Sequence, residues 1–154
     1  MSSLTVLKFG SHIIPASQTF LRTSLSFAFV NIKPVVPGHV LVSPIRLVDR
    51  VKLLNAEEIA DLFISAQHVS SVVESCYEAT SVSMVVQDGR EAGQTIPHVH
   101  VHILPRVLGD FGNNDDLYHM LENHDKNVKI SQPRPLKEME KEAALLKSFL
   151  KSHS

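Results

Sequence analysis

The apolar positions change period several times along the chain. From Thr19 to Ile32, "TFLRTSLSFAFVNI" is dense in Phe, Val and Thr, which suit a pleated and partly buried surface, and the stretch predicts strand. "KPVVPG" follows as a turn, with Pro37 fixing φ and Gly38 accepting positive φ at the two central positions of type II geometry. "HVLVSPIR" predicts the next strand, stopped at Pro44, and the short connection makes the pair an antiparallel hairpin. At Asn55 the period becomes helical. Ile59, Leu62, Phe63, Ala66, Val69, Val73 and Cys76 make one apolar face, Asn55 supplies an N-cap, and Glu57 and Glu58 sit in the electropositive first turn. "VSMVVQDG" returns to strand and turns at Asp88–Gly89, and "HVHVHILP" predicts the last strand.

Beyond Arg106 the chain is polar and carries Gly, Asn, Asp and Pro. It predicts a mobile loop over about 107–135 with one short helix that places Leu117, Met120 and Leu121 on a face. "LKEMEKEAALLKSFLKS" predicts a closing helix over about 136–151, built from strong helix formers. Strands, helix, strands and helix without a βαβ rhythm give an α+β fold with an antiparallel sheet. There is no internal repeat, and 154 residues suit a single domain over 1–154.

Composition removes several function classes. The formal net charge of -1 provides no global field for nucleic acid or an anionic membrane, so neither is an expected partner. A single cysteine, Cys76, excludes an intrachain disulfide and a Cys-rich zinc site. No apolar run reaches membrane-spanning length, and "MSSLTVLKFGSHIIP" lacks the basic and apolar regions of a secretory signal. The expectation is a soluble intracellular protein, cytoplasmic and open to the nucleus.

The chemistry concentrates in "GQTIPHVHVHILPR". On a strand His98, His100 and His102 share one face, while Val99, Val101 and Ile103 share the other. The Val/Ile face suits a core. The imidazole face suits a polar cleft, because each ring needs partners for its polar nitrogens. The preceding "DGREAGQT" brings Gly89 and Gly93, whose backbone can approach a ligand closely, with Gln94 and Thr95 adding side-chain donors; together they suggest an anion nest. Three uses remain for such histidines: packing, zinc ligation or nucleophilic catalysis. Zinc leaves the phosphate-like loop without a purpose and has no nearby cysteine to complete it. An imidazole, with an ordinary pKa of ~6.5, offers a neutral nitrogen near neutral pH that can attack phosphorus, and spacing favours the middle residue, His100.

"HVHVH" followed by "ILPR" resembles the histidine triad (HIT) superfamily. "FAFVNIKPVVPGHVLVSP", "QDGREAGQTIPHVHVHILPR", "GDF", "LY" and "HDK" narrow the resemblance to its fragile-histidine-triad branch, over about Phe9 to Lys126. The resemblance implies a HIT-like fold, with an antiparallel sheet of about five strands per subunit, two main helices and a sheet continued across a homodimer. It implies cleavage of diadenosine triphosphate to AMP and ADP through a covalent adenylyl-histidine. It also implies a divalent cation, Mg²⁺ or Mn²⁺, carried with the polyphosphate and not in a protein metal site. Adenylyl sulfate or an adenosine phosphoramidate is the alternative donor by the same intermediate. A further alternative is a signalling protein acting as its nucleotide-loaded dimer.

Residue by residue, the resemblance implies His100 as nucleophile, His102 on the α-phosphate, His98 in support, and His39 as a fourth histidine. It implies Asn31 on the ribose, Gln87 and the loop Gly93, Gln94, Thr95 and Ile96 on the phosphates, and His12 near the base. Tyr118, in "NNDDLYHML", matches a loop tyrosine open to phosphorylation. Two features depart from the pattern. Pro97 removes a backbone donor just before the triad and biases Ile96 to extended geometry. The chain also lacks tryptophan, whereas related sequences carry one in the region of "QPRP"; the missing C-terminal tryptophan-proline feature argues against the Hint-like branch.

Overall fold

A computed structural model describes residues 6–123 and 133–152. Its strands form two antiparallel sheets. Leu7–Phe9 (β1) pairs with His12–Ile14 (β2) around Gly10, whose φ of 59° suits a residue without a Cβ. Thr19–Arg22 (β3), Ser26–Val30 (β4), Val40–Pro44 (β5), Ser81–Val85 (β6) and Val101–Arg106 (β7) form a five-stranded sheet in the order β3-β4-β5-β7-β6. All its pairings are antiparallel. The stretch predicted as strand from Thr19 to Ile32 is thus broken in two. The Thr23 hydroxyl accepts the Leu25 and Ser26 N–H groups at 3.3 and 2.9 Å and turns the chain between β3 and β4. The turn before β5 is type II as expected: His39 N–H donates to Val36 O at 3.1 Å and Gly38 has φ 87°.

One face of the large sheet carries Ala28, Val30, Val40, Val42, Val101 and Ile103. It packs on Ala56–Cys76 (α1) and Leu136–Ser152 (α3), which supply Leu62, Ala66, Val69, Val73, Met139, Ala143 and Leu146. The other face carries Phe27, Phe29 and Leu41, covered by Leu7 and Phe9 of the small hairpin. Helices on one side and a short hairpin on the other leave part of that second face for a site.

Two apolar faces differ from the expected ones. In α1 the buried stripe is Leu62, Ser65, Ala66, Val69, Val72 and Val73, whereas Ile59 and Phe63 are 38% and 40% exposed. The helix is rolled so that small Ser65 and β-branched Val72 meet the sheet, moving Phe63 to the flank. In Asp116–Asn123 (α2), Leu117 and Leu121 are buried against Val36 and Leu104, while Met120 is 44% exposed and lines a cavity beside Val36 and Phe111. Of the stretch expected to be mobile over about 107–135, residues 107–115 lead into α2, and residues 124–132, with the quoted "HDK" and Gln132, lie outside the described residues. Arg106 anchors the start of this stretch by a forked bond to Asp110, with Nε–Oδ2 at 2.6 Å and Nη2–Oδ1 at 3.0 Å.

The start of α1 is tied to the loop after β5. Asn55 Oδ1 accepts Glu58 N–H at 2.9 Å, and the Glu58 carboxylate accepts Asn55 N–H at 3.0 Å, a reciprocal capping box. Arg46 grips the same carboxylate with two bonds of 2.8 Å. The Arg46 guanidinium, helped by the Asn55 N–H, holds buried Glu58 down at about 2. A carboxyl depressed in the folded state stabilises fully above its unfolded value near ~4.3, and this contribution is lost as pH falls toward about 2. Thermal melts from pH 7 to 2 should therefore show Glu58→Gln with a lower Tm at neutral pH and a shallower loss of stability below pH ~4.3 than the parent chain.

Candidate active site

The site grows from the point where β5 and β7 part. Their ladder ends at Val42 opposite Val101. The predicted strand "HVHVHILP" therefore enters the ladder only at Val101, with His98, Val99 and His100 ahead of it. Two different bonds replace the ladder there. The Ser43 hydroxyl donates to Val99 O at 2.8 Å, and His98 Nε2 donates to Pro44 O at 2.8 Å. Val99 N–H turns to Val48 O at 2.7 Å. Alternation still holds, since Val99, Val101 and Ile103 are in the core. The histidines on the other side are nevertheless deeply buried, His98 at 0%, His100 at 7% and His102 at 3% exposure. At that depth their polar nitrogens depend on protein groups or a bound ligand for partners.

Those bonds set the protons. Gly10 N–H donates to His98 Nδ1 at 3.0 Å, so Nδ1 is the bare nitrogen and Nε2 carries the proton given to Pro44 O. Burial lowers the His98 pKa against the opposing effect of that carbonyl, which keeps the ring neutral. His100 Nδ1 lies 2.7 Å from His98 O, a pure acceptor, so the proton of His100 is on Nδ1 and the lone pair is on Nε2. Val35 N–H donates to His39 Nδ1 at 3.0 Å. His39 Nε2–H then donates to His102 Nδ1 at 2.9 Å, which leaves the His102 proton on Nε2 as a donor. The rings are packed as well as bonded: His100 stands edge-on to Phe9 and to His102, with centroids 4.9 Å apart in both cases.

The arrangement gives a bare nitrogen on His100 beside a donor nitrogen on His102. That pair can attack an electrophilic centre and bind the charge on its oxygens. A zinc comb would have to break these bonds, since both His98 nitrogens and Nδ1 of His100 are engaged with backbone groups. Among the described residues, no group of three or more His, Cys, Asp or Glu side chains is arranged to hold a metal ion.

Asn31 lies at the end of β4, with Oδ1 accepting Lys33 N–H at 2.9 Å and Nδ2 resting 3.4–3.5 Å from the two ring nitrogens of His39. The loop before the triad is held by its own atoms. The N–H groups of Ala92, Gly93 and Gln94 donate to Gly89 O, Arg90 O and Gly89 O. The nest expected from successive N–H groups is thus closed at those three positions. Gln94 is a clamp: Oε1 accepts Gly89 N–H at 2.7 Å, while Nε2 donates to Asp49 O at 2.9 Å and Ile96 O at 3.0 Å. Gly93 has φ 98°, a backbone conformation that residues with a Cβ rarely adopt, and Gln87 Nε2 lies where a Cβ would come within 2.7 Å of it. This contact seats Gln87 against the loop. Thr95 is exposed and Ile96 packs beside the Phe9 cluster. Thr95 and Pro97, with Arg50 and Arg90, line a cavity of about 760 Å³ on the outer side of the loop.

His12 is exposed on β2 opposite Phe9, and Tyr118 is 50% exposed on α2. The structure therefore joins His98, His100, His102, His39 and Asn31 through hydrogen bonds and ring contacts, sets Ile96 next to His98 and Gln87 against Gly93, and leaves the His12 and Tyr118 side chains exposed. Reading the motif alone missed Phe9, the Gly10 N–H, the Val35 N–H and the Pro44 carbonyl, which hold the rings. Only the glycine in "FGSH" and the proline that ends β5 signalled unusual backbone at those places.

Similarities to known proteins bear on this arrangement. The HIT domain family model matches residues 14–108. The bis(5'-adenosyl)-triphosphatase of Dictyostelium discoideum is 47% identical over 150 residues, covering 97% of this chain and 97% of its own length. The bifunctional bis(5'-adenosyl)-triphosphatase/adenylylsulfatase of Arabidopsis thaliana is 46% identical over 128 residues, covering 83% of this chain and 71% of its own. The crystal structure of Plasmodium falciparum diadenosine triphosphate hydrolase in complex with cyclomarin A superposes with a TM-score of 0.79 at 31% identity, over 96% of this chain and 85% of that one.

Gln94→Ala tests the clamp. Losing its bonds to Gly89, Asp49 and Ile96 should destabilise the loop by roughly 1–3 kcal/mol and speed hydrogen exchange at the Gly89 amide, with exchange in β7 little changed.

Proposed function

The chain belongs to the HIT domain family, and from that premise we propose that it hydrolyses diadenosine triphosphate to AMP and ADP through an adenylyl group carried on His100. The observation that carries this reading is the 2.7 Å bond from His100 Nδ1–H to His98 O, which leaves Nε2 bare without any base to deprotonate it. In the first step the Nε2 lone pair forms a bond to the α-phosphorus and the P–O bond to ADP breaks. The positive charge gained by the His100 ring is stabilised by the His98 carbonyl, already in place at Nδ1–H. His102 Nε2–H, its tautomer set through His39 and Val35, donates to an α-phosphate oxygen. In the second step the oxygen of water bonds to phosphorus as the P–N bond breaks, the water gives up a proton to solvent, AMP leaves and His100 recovers its lone pair.

Asn31 holds the ribose, Gln87 and the loop Gly93–Ile96 border the phosphates, and His12 stands on the base side. A divalent cation, Mg²⁺ or Mn²⁺, would be held by the oxygens of the substrate polyphosphate, the hard ligands it prefers, and would supply charge compensation there. The Arabidopsis relative's second named activity favours adenylyl sulfate as an alternative donor: the same His100 adenylyl intermediate forms and sulfate leaves in place of ADP.

A homodimer with a continued sheet is supported by two features. Strand β6 is an edge of the large sheet with Met84 45% exposed, and α1 presents Ile59, Phe63 and Ile64 to solvent. Sedimentation should give twice the chain mass, and Phe63→Glu should shift it to the monomer. Tyr118, half-exposed on α2, is accessible for phosphorylation as proposed from its acidic context.

His100→Ala tests the chemistry. Hydrolysis of diadenosine triphosphate should fall by about 10⁴-fold or more, while calorimetric affinity for the nucleotide stays within a few-fold of the parent. Turnover at the parent rate would place the nucleophile elsewhere.

A further inference from the structure

The β4–β5 connection carries both Asn31 and His39, yet the ladder ends at Val30 opposite Val40. Beyond that pair, carbonyls that no strand satisfies are met by one residue from the far end of the chain. Arg134 Nη2 and Nε donate to Asn31 O at 2.6 and 3.1 Å, and Arg134 N–H donates to Ile32 O at 3.0 Å. The guanidinium is itself held from α3, where Glu142 Oε1 accepts Nη2 at 2.7 Å. The other oxygen of Glu142 accepts the Tyr77 hydroxyl, and the Tyr77 ring packs over Gly38, where a Cβ would meet it at 2.7 Å. The brace therefore touches the connection at both ends, at Asn31 and at Gly38 beside His39.

Helix α3 already docks through Met139, Ala143, Leu146 and Leu150, so attachment does not require this network. The side chains of Arg134 and Glu142 are only 14% and 9% exposed, and a buried ion pair is a poor source of net stability. What a planar two-bond fork supplies is direction. We propose that Arg134, held by Glu142 and Tyr77, is a positioning residue for nucleotide binding: it fixes the Asn31 peptide so that the Asn31 side chain meets the ribose. This rests on the ribose role given to Asn31 above.

The test compares parent, Arg134→Ala, Arg134→Lys and Glu142→Gln by steady-state hydrolysis of diadenosine triphosphate, by calorimetry with AMP, and by melting temperature. Arg134→Ala should raise KM and weaken AMP binding about tenfold with kcat within about twofold, the pattern of lost uniform binding. Arg134→Lys, able to donate but not to fork, should recover part of the loss, and Glu142→Gln should lose affinity in the same direction by less. In an Asn31→Ala background Arg134→Ala should have no further effect on KM, since both act on one contact. Unchanged KM and AMP affinity with only a lower Tm, or effects of Arg134→Ala and Asn31→Ala that simply multiply, would overturn the proposal. If Arg134→Ala fails to fold, the affinity of Glu142→Gln decides it. Absence of turnover in the parent would count against the functional reading instead, because AMP affinity reads the positioning effect without chemistry.

Discussion

A buried imidazole takes its tautomer from the groups that its ring nitrogens meet, and in this chain backbone donors and acceptors decide where the protons sit. His98 is 0% exposed and lies between a backbone donor, Gly10 N–H, and a backbone acceptor, Pro44 O. His100 Nδ1 meets a backbone acceptor, the His98 carbonyl. His39 receives a backbone N–H and passes its own proton to His102. Backbone groups cannot exchange donor for acceptor, so each assignment is forced by its neighbour. The outcome is an asymmetric pair, a proton-free nitrogen on His100 beside a protonated one on His102.

The fold is arranged to deliver those backbone groups. Gly10 comes from the turn of the small hairpin, Val35 from the β4–β5 connection and Pro44 from the end of β5, all converging where β5 and β7 separate. Had the ladder run on past Val101, the Pro44 carbonyl would be spent on a strand partner and His98 would lose its acceptor. Proline helps at two points. Pro97 has no N–H to extend β7 toward β5, and Pro105 lies past the end of the β5 pairing at Ile103, where no donor toward β5 is needed. The loop before the triad is stiffened from within by Gln94, so the rings and the phosphate side rest on fixed supports.

Much of this was legible in the sequence because it depends on local rules. The type II turn at Pro37–Gly38, the Asn55 cap, the closing helix and the division of the triad strand into a Val/Ile side and a His side each follow from residues within a few positions of one another. What escaped was set by distant parts of the chain. Periodicity placed Ile59 and Phe63 on the buried face of α1, but the sheet selects the stripe through Ser65 and Val72, and a helix can roll without changing its period. The Gly-rich loop read as an open nest, whereas its Gln94 amide and three of its N–H groups close on the loop itself. Gly10, Pro44 and Arg134 act through main-chain atoms or across about a hundred residues, and no motif records such partners.

The central claim is a pattern of protons, and it can be read directly. Long-range ¹H–¹⁵N correlation spectra of the ¹⁵N-labelled protein near pH 7 distinguish the two neutral imidazole tautomers. His98, His39 and His102 should show the Nε2–H form and His100 alone among these four the Nδ1–H form. A His100 that carries its proton on Nε2, or a His102 protonated at Nδ1, would contradict the account.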